Sequence, residues 1–477
     1  MANRLRLTAL ITAGLVNLGT LGAGVSVAWL LPARLARWDI PRVAAAPLAV
    51  PRAELARPAP PEKLATGAGL AAALAPLLNS ASLGPHAGIT VTDLGTGSVL
   101  YSRDGSTSAT PASSQKLATA AAALLTLGPG ARLNTTVVQG RAANSIVLVG
   151  GGDPTLAAGQ LPAASYPRPA SLRSLAAAAA RALRAHGETT VRLRYDDSLF
   201  TGPAMAPGWT ADYVSTGNVT PISALEVDQG RLTAAGTPED ADNPLNFRPR
   251  SVTPAADAAH AFAALLTADG IHVTATAPGR APAGAARVAV VHSPTVSAMT
   301  DWMLRESNNV IAEDLARQVA LKTGRPASFS GAAAAVTAVL ARLGVRAGVD
   351  LVDGSGLSPD DKLTPSALAS LVTIAARPGR TALRPIFAAL PVAGFSGTLA
   401  AGQSVFGGFG RAALGTVRAK TGNLTTVASL TGLVTDASGE TLSFAILAGQ
   451  IPDGALTRAA ATIDQLATTL ATCGCNR

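Results

Sequence analysis

The chain has 477 residues, which at roughly 150 residues per domain predicts about three folding units. Hydrophobic residues make up 48% and charged residues 14%, which excludes a disordered chain, and the two cysteines exclude a disulfide-framework protein. The net charge of +9 comes from scattered basic residues with no clustered stripe, so nucleic acid is not an expected partner, whereas cell-wall polymers or anionic lipid are.

Residues 7–33 form the one uncharged apolar run near the length of a membrane span, with Arg4 and Arg6 before it. Residues 1–34 therefore read as a signal peptide or an uncleaved membrane anchor, and the chain is expected to be exported. Pro32, Pro41, Pro47, Pro51, Pro58, Pro60 and Pro61 make 35–62 an extended Pro-rich linker. The folded part is expected from residue 63.

The spacing predicts a helix over 66–78, then a β-hairpin over 88–102 turning at Gly95-Thr96-Gly97. A helix follows from Ala112 to Leu127, with Leu117, Ala121, Leu124 and Leu125 as its apolar face and Gly128-Pro129 as its stop. Residues 132–295 change character, mixing short strands, one alanine-rich helix near 171–187 and many Gly and Pro. Helices are then expected from Ser297 to Lys322 with a break near Ser307, over 331–343 and over 365–376. Strands over 415–421, 426–435 and 441–449, with a turn at Asp436-Ala437-Ser438-Gly439, precede a last helix over 454–472. The front hairpin and the three late strands can form one five-stranded antiparallel sheet.

Only five of the 38 basic residues are lysines, so each is a candidate for a particular task. Lys116 follows Ser113 at i+3, the spacing that puts an amine beside a hydroxyl on one helix face. A neutral amine there can take the serine proton and make a nucleophile. Its pKa, near 10.4 when free, must then be lowered by burial or a second cation. Ser307-Asn308-Asn309 precedes an apolar helix face, so Ser307 and Asn309 are a second candidate pair, or else a helix cap. Lys-Thr-Gly occurs twice. Lys322-Thr323-Gly324 reads as a helix C-terminus, whereas Lys420-Thr421-Gly422 ends a strand-like run beside a cleft. Backbone groups after Gly422 could form half of an oxyanion hole.

These three segments, in this order, match the S-x-x-K, S-D-N and K-T-G set of penicillin-binding proteins and class A β-lactamases. Ser113 and Ser307 are 194 residues apart (307 minus 113), far more than in compact members. With LVGGGDPTL at 148–156, DDSLFTG at 196–202, APGW at 206–209, VDGSGLS at 352–358 and GFSGTLA at 394–400, the chain resembles the D-Ala-D-Ala carboxypeptidases of the penicillin-binding protein 4 type, peptidase family S13.

The resemblance implies an α+β fold, a β-lactamase/transpeptidase-like domain over 63–130 and 295–477 split by a long mixed α/β insertion over 131–294. It implies Ser113 as the acylated serine, Lys116 as its base, and Ser307 and Asn309 as further catalytic residues. Lys420, Thr421, Gly422 and Asn423 would bind substrate, with the N–H groups of Ser113 and Asn423 as oxyanion hole and Lys420 as the cation that depresses Lys116. Asn423 departs from the family, which has Ser or Thr there. The implied partners are peptidoglycan stem peptides and β-lactams, at an extracytoplasmic, membrane-anchored or wall-associated location.

Asp353-Gly354-Ser355-Gly356 and Gly397-Thr398 read as structural turns. His86, His186, His260, His272 and His292 have no ligand spacing, so no metal or other cofactor is expected. Cys473 and Cys475 are either a strained disulfide or two tail thiols. A β-lactamase would need a general-base Glu after the second motif; Glu239 and Asn243 have its spacing but precede Ser307. A non-catalytic wall-binding scaffold is the other alternative.

Overall fold

The computed structural model describes residues 65–159, 166–232, 248–402 and 406–475. The expected signal or anchor (1–34), the linker (35–62) and the Glu239–Asn243 pair lie outside the described residues. Among the described residues no helix is long and apolar enough to cross a membrane.

The alternating front segment gives β1 (His86–Asp93) and β2 (Val99–Arg103), and the late strands are β10 (Val417–Leu424), β11 (Val427–Thr435) and β12 (Thr441–Gly449). They pair antiparallel throughout, in the order β10-β11-β12-β1-β2, as expected. One face carries α1 (Gly67–Leu78, capped by Thr66) and α11 (Leu456–Thr472) over a core that includes Leu74, Ile89, Phe444 and Leu466. The structure joins Cys473 and Cys475 in a disulfide, and the Cys475 carbonyl accepts from Thr66 N.

On the other face α2 (Lys116–Thr126) packs among α6 (Val296–Arg305), α7 (Asn309–Lys322), α8 (Phe329–Leu343) and α9 (Pro365–Ala376). Helix α2 corrects the expectation of one apolar face: Lys116 through Leu124 are all buried, and Leu125 is only half-buried. Its alanines let neighbouring backbones approach from every side, as in a fully internal helix. Ser328 caps α8, Thr364 caps α9 ahead of Pro365, and Gly344 closes α8 in the left-handed conformation.

Residues 134–292 form a second sheet of β3 (Asn134–Gln139), β4 (Ser145–Val149), β5 (Thr190–Asp196), β6 (His272–Pro278) and β7 (Arg287–His292), in the order β6-β5-β4-β3-β7. β4, β5 and β6 run parallel through crossover helices α3 (Leu172–Ala185) and α5 (Pro254–Ala268), whereas β3 pairs antiparallel with β4 and β7. The sequence reading expected a single helix here and missed α5, although Pro254 at its first position is a readable start signal.

This second sheet meets α7 through buried polar groups: Gln318 Nε2 donates to Gly151 O at 2.8 Å, and Asp153, Glu226 and Asp314 are all buried. Burial pushes the Glu226 carboxyl up from 4.5 to about 8, with Arg250 opposing and Asp153 reinforcing the rise. The folded chain thus holds a proton that an unfolded glutamic acid releases near pH 4.3, so this group's contribution to stability falls as pH rises from about 4 to 8. Glu226→Gln is expected to gain melting temperature relative to the parent chain between pH 5 and pH 8. Parallel melting curves across that range would refute this.

Candidate active site

The segment Pro111–Gln115 was expected to open a regular α-helix at Ala112. Instead Ala112–Gln115 is a 3-10 turn leading into α2, and buried Ala112 has φ of +46°. A non-glycine residue there stores roughly 1–3 kcal/mol of strain and persists only where its surroundings hold it. They do. Ser114 Oγ lies 2.8 Å from Ser429 Oγ on β11, and Ser429 Oγ also lies 2.7 Å from Pro111 O. Gly356, at φ +80°, lies against the same turn: a Cβ there would sit 2.0 Å from Ala112 O.

The turn brings Ser113 Oγ within 2.7 Å of Lys116 Nζ. The amine also donates to Asn309 Oδ1 at 2.6 Å and to Ser355 O at 2.8 Å. Those two oxygens can only accept, whereas the serine hydroxyl can accept or donate. When neutral, the amine gives its two N–H groups to Asn309 and Ser355 and turns its lone pair toward the hydroxyl of Ser113.

Burial lowers the Lys116 pKa from 10.5 to about 7, against the opposing charges of Asp353, Glu313 and Asp361. The sequence reading allowed burial or a second cation, with Lys420 as that cation, and burial is the cause that acts. The side chain is fully enclosed, and loss of hydration outweighs any single neighbouring charge. The repulsion between the two ammonium groups instead weighs on Lys420, whose pKa is driven well down by burial first and Lys116 second.

The second motif sits at the break between α6 and α7. Asn308 is the N-cap, its Oδ1 accepting from Ile311 N at 3.0 Å, so Asn309 is the first helical residue and its side chain is not spent on capping. Its amide donates to Asn218 O at 2.9 Å, which orients the carboxamide oxygen toward Lys116. Ser307 lies in the left-handed region at φ +56°, and its Oγ accepts from Lys420 Nζ at 2.8 Å.

The third motif lies inside β10, not at its end, because the strand runs on to Leu424. Gly422 makes this possible: a Cβ there would lie 2.4 Å from Ser429 Oγ and 2.8 Å from Ser113 N. The segment 391–393 pairs with the start of the outer edge, Ala393 N donating to Val417 O and Ala419 N to Pro391 O at 3.0 Å each. Among the described residues no backbone partner continues past Ala419. By the two-residue period of a strand, the N–H and C=O groups of Thr421 and Asn423 face the same open edge. The Asn423 residue is exposed. Thr421 Oγ1 lies 2.8 Å from Thr398 Oγ1.

Contacts thus link Ser113 to Lys116, Lys116 to Asn309 and Lys420 to Ser307 and Thr421, with Gly422 against Ser113 N, while Lys322-Thr323-Gly324 is an ordinary terminus at the far end of the helix that Asn309 begins. The sequence reading missed Asn218 and treated Ser355 and Thr398 as parts of structural loops near the cleft. No periodicity marks such positions. The VDGSGLS and GFSGTLA segments that contain Ser355 and Thr398 were the available signal.

Comparison with known proteins gives the family and the fold. The model of the D-Ala-D-Ala carboxypeptidase 3 (S13) family matches residues 70–248 and 231–470. The carboxypeptidase Rv3627c of Mycobacterium tuberculosis is 40% identical over 415 residues, 86% of this chain and 85% of its own. The chain belongs to the S13 family of D-Ala-D-Ala carboxypeptidases. The carboxypeptidase DacB of Mycolicibacterium smegmatis is also 40% identical, over 91% of this chain and 89% of its own. The fold matches the crystal structure of penicillin binding protein 4 from Haemophilus influenzae with a TM-score of 0.68 at 23% identity, over 85% of this chain and 100% of that one. This S13 carboxypeptidase therefore has the penicillin-binding, transpeptidase-like fold that the sequence resemblance implied.

Proposed function

We propose that Ser113 is the nucleophile of this carboxypeptidase and Lys116 its general base. The observation that carries the proposal is the 2.7 Å contact between Ser113 Oγ and an enclosed amine with a pKa of about 7. Lys116 takes the Ser113 proton as Oγ bonds to the penultimate carbonyl carbon of a stem peptide ending in D-Ala-D-Ala. The developing oxyanion is met by the N–H groups of Ser113 and Asn423. The C–N bond breaks, the terminal D-Ala departs with a proton returned from the amine, and water then hydrolyses the ester on Ser113. Lys420, Thr421 and Thr398 bind the terminal carboxylate, Ser307 shuttles a proton beside Lys420, Asn309 contacts the substrate amide, and Gly422 admits the close approach of β10.

Residues 63–130 and 295–477 are read as one catalytic domain and 131–294 as an insertion, in keeping with the two separate sheets. A peptidoglycan substrate requires an extracytoplasmic location, and the uncharged run over 7–33 supports export through a signal or anchor. A solved penicillin binding protein 4 from Haemophilus influenzae is complexed with a β-lactam, in keeping with β-lactams as ligands here, and the Ser113–Lys116 geometry is what makes Ser113 the serine they would acylate.

The test is to incubate the enzyme with a D-Ala-D-Ala pentapeptide, with cross-linked muropeptides and with labelled penicillin. Free D-Ala and a penicillin adduct mapped to Ser113 are the expected results. Cleavage of the cross-linked substrate would add endopeptidase activity. Rapid turnover of the penicillin would instead mark a β-lactamase, and binding of peptide with no product a scaffold.

A further inference from the structure

One carboxylate gathers the three segments around Lys116. Asp353 is 1% exposed. Its Oδ1 accepts from Gly356 N at 2.6 Å, Ser355 N at 2.9 Å and Gln115 Nε2 at 3.3 Å. Its Oδ2 accepts from Ser358 N and Trp209 Nε1, both at 2.8 Å. The loop 353–358 therefore winds around this side chain, and the same loop presents Ser355 O to Lys116. Gln115 precedes the lysine directly and also donates to Asp353 O at 2.6 Å. Trp209 comes from the stretch between β5 and α5 and meets Phe329 of α8 edge-on. These five contacts are all donors, as a carboxylate acceptor requires, and the Asp361 carboxyl shares a further hydrogen bond with the same side chain.

We propose that Asp353 is a positioning residue for the reaction, holding the Ser355 carbonyl against Lys116 and tying that contact through Trp209 to the seating of residues 206–218, which include Asn218. The inference rests on the roles of Ser113 and Lys116 proposed above. Removing the carboxylate would free the loop and leave the Gly356, Ser358 and Trp209 donors without an ionic partner, a costly change in a buried site.

The charge has a second consequence. Burial lowers the Lys116 pKa, and Asp353 is the leading opposing charge, ahead of Glu313 on α7 and Asp361 on the same loop. Lys420 on β10 faces the amine from the other side. Neutralising Asp353 therefore favours the neutral amine, and the acid limb of the acylation profile, which follows deprotonation of Lys116, moves to lower pH.

The experiment follows the rate of labelling by fluorescent penicillin against pH for the full chain and two variants. Asp353→Asn is expected to label about 100-fold more slowly at its plateau, with the acid limb shifted down by about one pH unit from near 7. Trp209→Phe keeps the charge and the ring but loses one bond; it is expected to label about tenfold more slowly with the limb unmoved. A slow Asp353→Asn variant whose limb stays put, or a Trp209→Phe variant that labels like the parent chain, overturns the proposal. Should Asp353→Asn fail to fold, Asp353→Glu decides: slower labelling with the parent limb supports the proposal, and unchanged labelling overturns it. Labelling that persists in Ser113→Ala would instead strike the underlying assignment of the nucleophile.

Discussion

Ser113→Ala is expected to abolish the covalent penicillin adduct and to lower kcat/KM on a D-Ala-D-Ala peptide by about 10⁴-fold or more. The magnitude follows from the absence of a replacement: Ser114 Oγ is turned away and bonded to Ser429, so no second hydroxyl reaches the same point. Intact-mass spectrometry reads the adduct, and release of D-Ala reads the rate. The variant should fold normally, since the removed hydroxyl bonds only Lys116 among the described residues. An adduct retained at the parent level would overturn the assignment of the nucleophile.

Lys116→Met should be nearly as severe, with acylation slowed by about 10³-fold. Two opposing terms act on its stability. The chain no longer has to bury an amine, which favours the variant. Asn309 Oδ1 and Ser355 O, however, lose a donor in an enclosed site, at roughly 1–3 kcal/mol each. The melting temperature should therefore fall modestly while activity nearly vanishes. The pH dependence separates base from scaffold: the parent chain should acylate with an acid limb near pH 7, and Lys116→Met should show none. A residual rate that keeps the same limb would assign that limb to another group.

The sequence made the catalytic sheet legible because its strands alternate and its hairpins carry turn residues. The motif residues were legible because Ser113 and Lys116 are close in sequence and because each motif keeps its own short spacing. What stayed hidden was the set of contacts between remote segments. Asn218 reaches Asn309 across 91 residues, and Gln115 reaches Asp353 across 238. No periodicity marks Asn218, and nothing in the noted loop at Asp353 points to Gln115. The sequence reading named burial and a second cation as causes of the Lys116 shift but gave no way to choose between them, since burial is a property of the assembled fold and not of neighbouring letters. Helix α5 was a different failure: its start signal was present, but the Gly- and Pro-rich surroundings masked it.

The strand order has a consequence for how the protein reaches this state. β1 is an inner strand of its sheet, between β2 and β12, with His86 paired to Gly449 and Asp93 to Leu442. A chain that emerges from its amino-terminal end can pair β1 with β2 at once, but must leave the edge of β1 that meets β12 open until nearly all the rest has appeared. The second sheet, drawn from the contiguous stretch 134–292, has no such wait and can assemble first. Long-range pairing of this kind makes folding slow and leaves an open strand edge during it. Synthesis or export that stalls before β12 would thus yield a chain with a complete second sheet and an incomplete first one, exposed to aggregation and proteolysis along the open edge of β1.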